Sequence, residues 1–297
     1  MTQRKSSNRL IAAAVQLQPS DSIESNLSNT SKLIQDAVDQ GVQLVVIPEN
    51  FAHLGRSDFA AIGLSESQPQ GLVRQFLSDQ AAQHGIWLVA GTLPISDPES
   101  SIKPYARCLL FDPQGNQSSS YDKIHLFNAE LDKCELDKAE LDKAEFGHEQ
   151  QSAYRESDNF SSGAEVVVAQ TDLCRLGMSV CYDLRFAELY RQLADRGAQI
   201  ATVPAAFTAV TGKDHWLLLL RARAVENQIF VIGANMVDRD HPRRALWGGS
   251  AIIDPWGNLL ASLDDEPGVA VAEIDLDRID EVRAKMPMAE HRKIKPC

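Results

Sequence analysis

The chain has 297 residues, 44% of them hydrophobic and 24% charged, which is typical of a globular protein with enough apolar side chains for a large core. Its formal net charge of −12 excludes a surface built for nucleic acid, because phosphates require clustered Lys and Arg. No apolar run approaches the roughly 20 residues that cross a bilayer, so no membrane-spanning segment is predicted. One large domain or two small ones would fit this length, and a small-molecule partner is favoured.

The five cysteines indicate a reducing compartment. They are odd in number, widely scattered and without a CxxC spacing, so neither a disulfide framework nor a zinc site is indicated. The basic N-terminus is followed by a short apolar stretch over residues 10–17 that lacks a small-residue cleavage site. We interpret this stretch as a strand rather than a signal peptide, and we expect a cytoplasmic protein.

In chain order, short runs rich in Val, Ile and Leu alternate with segments of helical period, as in α/β proteins. Several runs are apolar throughout, as strands buried on both faces are. Ten such runs imply more than one sheet. The predicted strands cover residues 11–17, 42–48, 86–94, 106–113, 165–171, 175–181, 199–205, 229–235, 250–257 and 268–274. Between them, apolar stripes at helical spacing predict helices around residues 33–38, 72–77 and 189–194.

Two predicted reversals share one sequence form. Residues 112–115 read DPQG and residues 254–257 read DPWG, which places Pro and Gly where tight turns need them. The repetition suggests internal pseudo-symmetry, although such turns are also common in unrelated hairpins.

One stretch, residues 129–148, breaks the alternation. It reads AELDK, CELDK, AELDK, AEFGH, an imperfect pentapeptide in tandem. In a helix, five steps of about 100° would rotate successive apolar residues by about 140°, so no single buried face results. Three copies are too few to bury the core of a solenoid. We expect a charged, mobile surface insertion, either a neutral loop expansion or a lid or partner contact.

Candidate catalytic side chains stand where apolar strands end. Cys181 ends the predicted strand over 175–181 and precedes a helical segment, so nearby backbone N–H groups would lower the pKa of its thiol. Glu49 follows the strand over 42–48, where burial would raise the pKa of its carboxylate. Lys123 lies in a short strand beside His125. A nucleophilic thiol needs such a base and such a cation, although each residue alone could be structural or a solvated charge.

Three blocks around these residues resemble, in order and in spacing, the signature blocks of the nitrilase superfamily of carbon–nitrogen hydrolases. They are residues 48–50 (PEN), 121–126 (YDKIHL) and 181–186 (CYDLRF). The likeness covers nearly the whole chain, and only the insertion departs from it. We therefore expect one carbon–nitrogen hydrolase domain over residues 1–297.

The resemblance implies that Glu49 is the general base, Cys181 the nucleophile and Lys123 the oxyanion stabiliser, helped by the backbone N–H of Tyr182. A second glutamate that supports the lysine in many family members corresponds to Glu156, which could equally be a surface charge. In this mechanism Glu49 takes the thiol proton, protonates the departing ammonia and then activates water to release the thioester. No metal or organic cofactor is implied.

The stretches over 204–227 and 243–250 resemble the branch that contains omega-amidases and deaminated-glutathione amidases. This implies hydrolysis of the terminal amide of a small carboxylic acid. An arginine could clamp the carboxylate of such a substrate, although an arginine in a loop is often a solvated charge. His215 and Trp216 either line the pocket or pack. The candidate substrate-binding residues are Arg185, Phe207, Thr208, Arg243 and Arg244.

Two other functions use the same kind of chain. A nitrilase or an N-carbamoyl amidase would have the same catalytic residues, and only the pocket would distinguish them. A binding or scaffold protein could keep the fold without turnover. The intact Glu, Lys and Cys argue against that alternative, because such a protein has no need of a thiol flanked by a carboxylate and an ammonium.

The resemblance also implies a four-layer α-β-β-α sandwich, in which two facing sheets are covered by helices. The number of predicted strands agrees with this α/β fold. Members of the superfamily commonly pair through the helices next to the nucleophile. We therefore expect a homodimer or higher homo-oligomer formed through residues 186–197 and 214–227.

Overall fold

A computed structural model of the chain describes residues 8–68, 70–97, 103–129, 154–241 and 245–294. The expected insertion lies outside these ranges, except for residue 129, and so do Arg243 and Arg244. Among the described residues, no helix is long and apolar enough to span a membrane.

Strands and helices alternate along most of the described chain. The strands are β1 (Arg9–Gln16), β2 (Leu44–Ile47), β3 (Trp87–Ala90), β4 (Leu93–Ile95), β5 (Tyr105–Phe111), β6 (Gln117–Asp122), β7 (Asn128–Ala129), β8 (Tyr154–Arg155), β9 (Val168–Gln170), β10 (Arg175–Met178), β11 (Ile200–Ala205), β12 (Phe230–Asn235), β13 (Val237–Asp238), β14 (Leu246–Trp247), β15 (Ala251–Ile253), β16 (Leu259–Ser262) and β17 (Gly268–Asp275). The α-helices are α1 (Ile23–Val38), α2 (Phe59–Glu66), α3 (Leu72–His84), α4 (Ala187–Asp195), α5 (Ala209–Asn227), α6 (Asp277–Lys285) and α7 (Met288–His291).

The apolar run over 86–94, predicted as one strand, forms two. It breaks after β3 because Gly91 adopts φ +51°, in the left-handed region that favours glycine. A Cβ at this position would lie 1.9 Å from the carbonyl oxygen of Pro48, so no other residue fits without backbone movement. The break lets β4 turn away from β3 and pair with β5.

The first sheet has the order β17–β1–β2–β3–β5–β4, with β6 also paired to β5. Its strands β1, β2 and β3 are parallel, while β17 and β5 border them antiparallel. Helix α1 connects β1 to β2, and α2 and α3 connect β2 to β3. Parallel neighbours require such long crossovers.

The second sheet repeats this plan with the order β9–β10–β11–β12–β15–β16. Strands β10, β11 and β12 are parallel, while β9 and β15 border them antiparallel. Helices α4 and α5 are the crossovers. The order and direction of the six strands therefore match those of β17, β1, β2, β3, β5 and β6.

The two DPxG turns occupy matching places in this plan, closing the hairpins β5–β6 and β15–β16. In the first, Asp112 Oδ1 accepts the N–H groups of Gln114 and Asn116, both at 2.9 Å. In the second, Asp254 Oδ1 accepts the N–H groups two and four residues later, at 2.9 and 2.7 Å. The pseudo-symmetry suggested by the sequence is thus present in strand order, strand direction and turn geometry.

The layers follow from the alternation of side chains along each strand. Ala12 and Val46 lie in one hydrophobic cluster with Val203 and Ile232, so one face of the first sheet packs on the second. The side chains of neighbouring strand residues, such as Val45, point to the opposite face of the first sheet. There they cluster with residues of α1 and α3. Truncating a core side chain on either face would cost about 2–5 kcal/mol.

Helices α4 and α5 cover the outer face of the second sheet. Helix α5 approaches β12 at Gly233, where a Cβ would come within 2.8 Å of Trp216 and Leu220. Leu193 of α4 lies against Gly177 of β10 in the same way, at 3.1 Å from such a Cβ. The order of layers is helix, sheet, sheet, helix, which confirms the expected four-layer α-β-β-α sandwich.

Candidate active site

The Glu49 side chain is buried just beyond the carboxyl end of β2. The following residue, Asn50, adopts φ +53°, and its N–H donates to the hydroxyl of Thr92 at 3.0 Å. Close packing of Gly91 on Pro48 fixes the other side of this corner. The backbone therefore holds the carboxylate of Glu49 at the sheet edge, where parallel-strand proteins place their functional groups.

Lys123 follows β6 directly and is 2% exposed. Its Nζ donates to Glu49 Oε1 at 2.7 Å and to both carboxylate oxygens of Glu156, at 2.9 and 2.8 Å. Burial by itself lowers the pKa of Lys123, but the carboxylates of Glu156 and Glu49 raise it well above its ordinary value. A charged ammonium therefore sits between two carboxylates inside the protein.

Glu156 begins a 3-10 turn (Glu156–Asp158) immediately after β8. Its Oε2 also accepts the N–H of Phe127 at 2.7 Å. Burial raises the pKa of Glu156; Lys123 opposes this shift, and the negative charge of Glu49 adds to it. The sequence left open a surface position for Glu156, but the structure buries it against Lys123.

Cys181 lies at a tight corner beyond β10. Its φ of +46° is rare for a residue other than glycine, and conformations of this kind cost about 1–3 kcal/mol. A 3-10 turn (Cys181–Arg185) follows, and α4 begins only afterwards. The carboxylate of Glu49, the ammonium of Lys123 and the backbone at Ala206 all lie close enough to the thiol to shift its pKa.

The expected lowering of the thiol pKa is wrong for this environment. Burial and the neighbouring Glu49 raise the pKa of Cys181 well above its ordinary value, and Lys123 offsets only part of the shift. Backbone N–H groups near a turn lower a thiol pKa only where their effect exceeds the loss of hydration. The protonated form of the resting thiol is therefore favoured.

Glu49 joins these groups through both of its oxygens. While Oε1 accepts from Lys123, Oε2 accepts the N–H of Ala206 at 3.0 Å, just beyond the end of β11. The carboxylate thus bonds both the ammonium and the backbone just beyond β11, and its negative charge acts on the thiol. Such a group can receive a proton from Cys181 while keeping its orientation.

These residues line an open cleft. Of the candidate substrate-binding residues, Arg185, Phe207 and Thr208 line it. Arg243 and Arg244 are outside the described residues. Asn50, Phe127, Ala206 and Thr211 also line the cleft, and no site role was predicted for them because folding rather than a local motif brings them there. The lining comprises Glu49, Asn50, Lys123, Phe127, Glu156, Cys181, Tyr182, Arg185, Ala206, Phe207, Thr208 and Thr211.

The guanidinium of Arg185 lies between two aromatic rings at the wall of the cleft. Its Cζ is 5.2 Å from the ring centre of Phe207 and 5.9 Å from that of Tyr182. One of its nitrogens, Nη1, is 3.2 Å from Nδ1 of His215. Stacking limits the rotation of the guanidinium, which is suited to bidentate binding of an anion.

Comparison with known proteins agrees with this geometry. Residues 11–284 match the family model described as carbon-nitrogen hydrolase. The chain belongs to this family. It is 37% identical to a deaminated glutathione amidase of Synechocystis sp. over 95% of this chain and 97% of that protein. It is 34% identical to omega-amidase NIT2 of Danio rerio over 95% of this chain and 94% of that protein.

The fold also matches a solved structure of the superfamily. Saccharomyces cerevisiae Nit3, described as a member of branch 10 of the nitrilase superfamily, aligns with a TM-score of 0.81 and 30% identity. The alignment covers 96% of this chain and 97% of that one. The family resemblance found in the sequence is confirmed. The carbon–nitrogen hydrolase acts on non-peptide bonds, and its amidase relatives support amidase activity on a small molecule.

Proposed function

We propose that this carbon–nitrogen hydrolase is a thiol-dependent amidase with Cys181 as nucleophile, Glu49 as general base and Lys123 as oxyanion stabiliser. The observation that carries the proposal is the position of Glu49, which accepts from the Lys123 ammonium at 2.7 Å and lines the same cleft as the thiol of Cys181. A structural thiol in a core has no use for a buried ion pair beside it, because burying charge is unfavourable.

In the first half-reaction Glu49 accepts the thiol proton as Cys181 attacks the amide carbonyl. Negative charge then develops on the carbonyl oxygen, where Lys123 and the backbone N–H of Tyr182 stabilise it. Preorganised donors of this kind each contribute about 10²–10³-fold to the rate. Glu49 returns its proton to the nitrogen, the C–N bond breaks, and ammonia leaves a thioester on Cys181.

In the second half-reaction a water molecule replaces ammonia beside Glu49. The carboxylate accepts a proton from this water, whose oxygen attacks the thioester carbonyl. The C–S bond breaks, and the proton returns to the sulfur. Glu156 supports both steps by holding Lys123, with two contacts shorter than 3.0 Å.

We propose that the substrate is a small carboxylic acid with a terminal amide, such as deaminated glutathione or a similar omega-amide. Arg185 is placed to bind the substrate carboxylate, because it lines the cleft with its guanidinium fixed between two rings. Phe207 and Thr208 complete this wall, with the Thr208 hydroxyl 3.0 Å from that of Thr211. The names of the amidase relatives support the same substrate class.

The first test is ammonia release from deaminated glutathione, alpha-ketoglutaramate, an aliphatic nitrile and an N-carbamoyl amino acid. Turnover of either amide is expected, and Cys181→Ala should abolish it. Cys174→Ala is the matched control, because Cys174 is also buried but does not line the cleft. Turnover of the nitrile or the carbamoyl compound alone would exclude the amidase but keep the thiol mechanism. Turnover that survives Cys181→Ala would exclude the mechanism.

We further propose that a second copy of the chain covers the outer side of α5. Leu217, Leu218 and Val225 are exposed there by 40%, 65% and 43%. An apolar group of this kind on a helix commonly marks a contact between proteins. The parent should sediment as a homodimer or larger, and Leu218→Lys should shift it toward the monomer. A monomeric parent would exclude this interface.

A further inference from the structure

Asp183, two residues after Cys181, is a buried carboxylate for which the sequence predicts no role. Its side chain is 0% exposed. Oδ1 accepts the N–H of His125 at 3.0 Å and lies 2.7 Å from Nδ1 of the same residue. Oδ2 accepts the hydroxyl of Tyr121 at 2.7 Å and the N–H of Val180 at 2.9 Å. Each oxygen therefore has two partners.

The partners of Asp183 lie on two distant segments of the chain. Two of them flank Lys123, each two residues away: Tyr121 near the end of β6 and His125 just after that strand. The third directly precedes Cys181. One side chain therefore ties the backbone that carries the ammonium to the backbone that carries the thiol.

Aromatic packing completes this connection. The ring of His125 stacks on Phe186, with centres 3.6 Å apart and planes within 7°. The ring of Tyr182 packs edgewise on Phe186 at 5.3 Å. Because a carboxylate only accepts, Nδ1 of His125 is the donor to Asp183. Stacking on Phe186 and the hydrogen bond to Asp183 together fix the orientation of the imidazole ring.

The corner at Cys181 needs such support. A residue with φ +46° is strained, and the strain persists only where the surroundings over-determine the conformation. The N–H of Asp183 donates to the carbonyl of Val180 at 3.0 Å, while its side chain accepts the N–H of Val180. Both the backbone and the side chain of Asp183 therefore stabilise the turn at Cys181 through hydrogen bonds to Val180.

A comparison with another buried carboxylate separates support of the fold from support of the site. Glu66, on α2, accepts the N–H groups of Val73 and Arg74 at 3.1 and 3.0 Å and so caps α3. It is as well buried as the active-site carboxylates but does not line the cleft. Its bonds stabilise one helix end, whereas those of Asp183 join the two segments that carry Lys123 and Cys181.

We propose that Asp183 is a positioning residue that holds Cys181 in its left-handed conformation and sets its place relative to Lys123. This inference rests on the proposed function, in which these two groups act on the substrate carbonyl. An asparagine at this position would direct an amide N–H₂ at two donors, so at least one bond across the corner would be lost. The corner would then relax, and the thiol would move away from its attack position.

The test compares Asp183→Asn with Glu66→Gln, using whichever amide the parent hydrolyses fastest. Misplacement of a reacting group by about 1 Å lowers rates by about 10²-fold, so kcat of Asp183→Asn should fall by about that factor while KM changes less than about threefold. Glu66→Gln should lower the melting temperature at least as much but keep kcat per folded molecule. If the kcat of Asp183→Asn per folded molecule equals that of the parent, the inference is overturned.

A second readout needs no substrate. Iodoacetamide alkylation of Cys181, followed on its own peptide by mass spectrometry, should be about tenfold slower in Asp183→Asn at fixed pH, since its alignment with Glu49 is lost. Glu66→Gln should match the parent. An inert parent with a changed alkylation rate would reject the proposed function but uphold the role of Asp183. Equal alkylation rates in all three proteins would reject that role.

Discussion

The first half of the molecule, β1 to β6, and the second half, β10 to β16, place different side chains at similar strand ends. Just beyond β2 stands Glu49, whereas Ala206 stands just beyond β11, and the N–H of Ala206 donates to Glu49 at 3.0 Å. Just beyond β1 stands the core residue Leu17, while the corner beyond β10 carries Cys181. A repeated topology thus brings the same edges together, and the residue types at those edges decide the chemistry.

The contributions of the two halves are also unequal in charge. The first half supplies the carboxylate of Glu49 and the ammonium of Lys123, and the second half supplies the thiol. Glu156, from the segment that joins the halves, contacts Lys123. The proposed reaction therefore depends on contacts between groups of both halves and of the segment that connects them. Variants of each group test its contribution.

The largest effect is expected from the first half's base. Glu49→Gln keeps the shape of the side chain but cannot accept the thiol proton, so kcat/KM should fall by about 10²–10⁴-fold. Because the pKa of Cys181 is raised, water at neutral pH does not replace the base efficiently. The measurement is the steady-state kinetics of the parent and of Glu49→Gln. Glu188→Gln, a substitution at an exposed position of α4, is the control. If Glu49→Gln turned over substrate as fast as the parent, Glu49 would not be the general base.

The ammonium should come next. Lys123→Met removes the oxyanion donor, for which a loss of about 10²–10³-fold in kcat is expected. It also leaves Glu49 and Glu156 buried without their cation, which costs about 3–5 kcal/mol of stability. Adding Glu156→Gln removes one of the two buried charges, so the double variant should recover stability but not kcat. Chemical denaturation together with kinetics separates the two effects. Recovery of kcat in the double variant would contradict the role of Lys123.

A smaller and more selective effect is expected in the second half. Arg185→Leu removes the proposed carboxylate contact, and a hydrogen bond to a charged group contributes about 1.5–3 kcal/mol. By the conversion of about 1.4 kcal/mol per tenfold, KM for a carboxylate-bearing amide should rise about 10- to 100-fold. KM for propionamide, which has no carboxylate, should stay unchanged. Arg191→Leu, outside the cleft, is the control. An equal rise for both amides would reject substrate recognition by Arg185.

Residues 42–49 show how much of the site the sequence could predict. An unbroken apolar run bounded by Pro predicts a buried strand, and β2 forms within it. A carboxylate directly after that run must lie at the sheet edge. Glu49 could therefore be placed from local pattern alone, and the same reasoning placed Cys181 at the end of its own strand, which in the structure stops earlier, at Met178.

The partners of these residues could not be predicted in this way, because they come from elsewhere in the chain. The contact of Glu49 with Ala206 and the bonds of Asp183 to Tyr121 join residues 157 and 62 positions apart. The direction of the Cys181 pKa shift depends on the same contacts, so the local expectation had the wrong sign. The break at Gly91 was missed because no local pattern shows that Pro48 packs against it.

The corner after Glu49 contains a buried histidine, His53, that makes the stability of the fold depend on pH. The residues directly after Ala206 include no histidine. His53 is 2% exposed, its ring nitrogens have no hydrogen-bond partner among the described residues, and burial lowers its pKa from 6.5 to about 4. The unfolded chain binds a proton near pH 6.5 and the folded one does not. Above pH 6.5 the histidine is neutral in both states and the free energy of unfolding is unaffected. As the pH falls from 6.5 toward 4, protonation of the unfolded chain lowers the free energy of unfolding by about 2–3 kcal/mol.

His53→Gln tests this pH dependence, because glutamine does not titrate. Unfolding free energies of the parent and the variant should differ in their pH dependence between pH 6.5 and 4, with the parent losing about 2–3 kcal/mol more. His84→Gln, on α3, is the control for loss of an imidazole. Parallel curves for the parent and His53→Gln would show that the neutral state of His53 contributes nothing to stability.

The smallest effect is expected where the halves are joined. Ala129 of β7 pairs with Tyr154 of β8 across the segment 130–153, so a two-residue Asn-Gly turn would connect the strands directly. The contacts of Glu156 with Phe127 and Lys123 lie below this pair and remain available. If the repeat is a neutral expansion, replacing residues 130–153 with Asn-Gly should leave kcat/KM within about twofold, since loops tolerate changes in length at little cost. A larger fall, with the melting temperature unchanged, would show that the repeat acts on the site and that the join supplies more than Glu156.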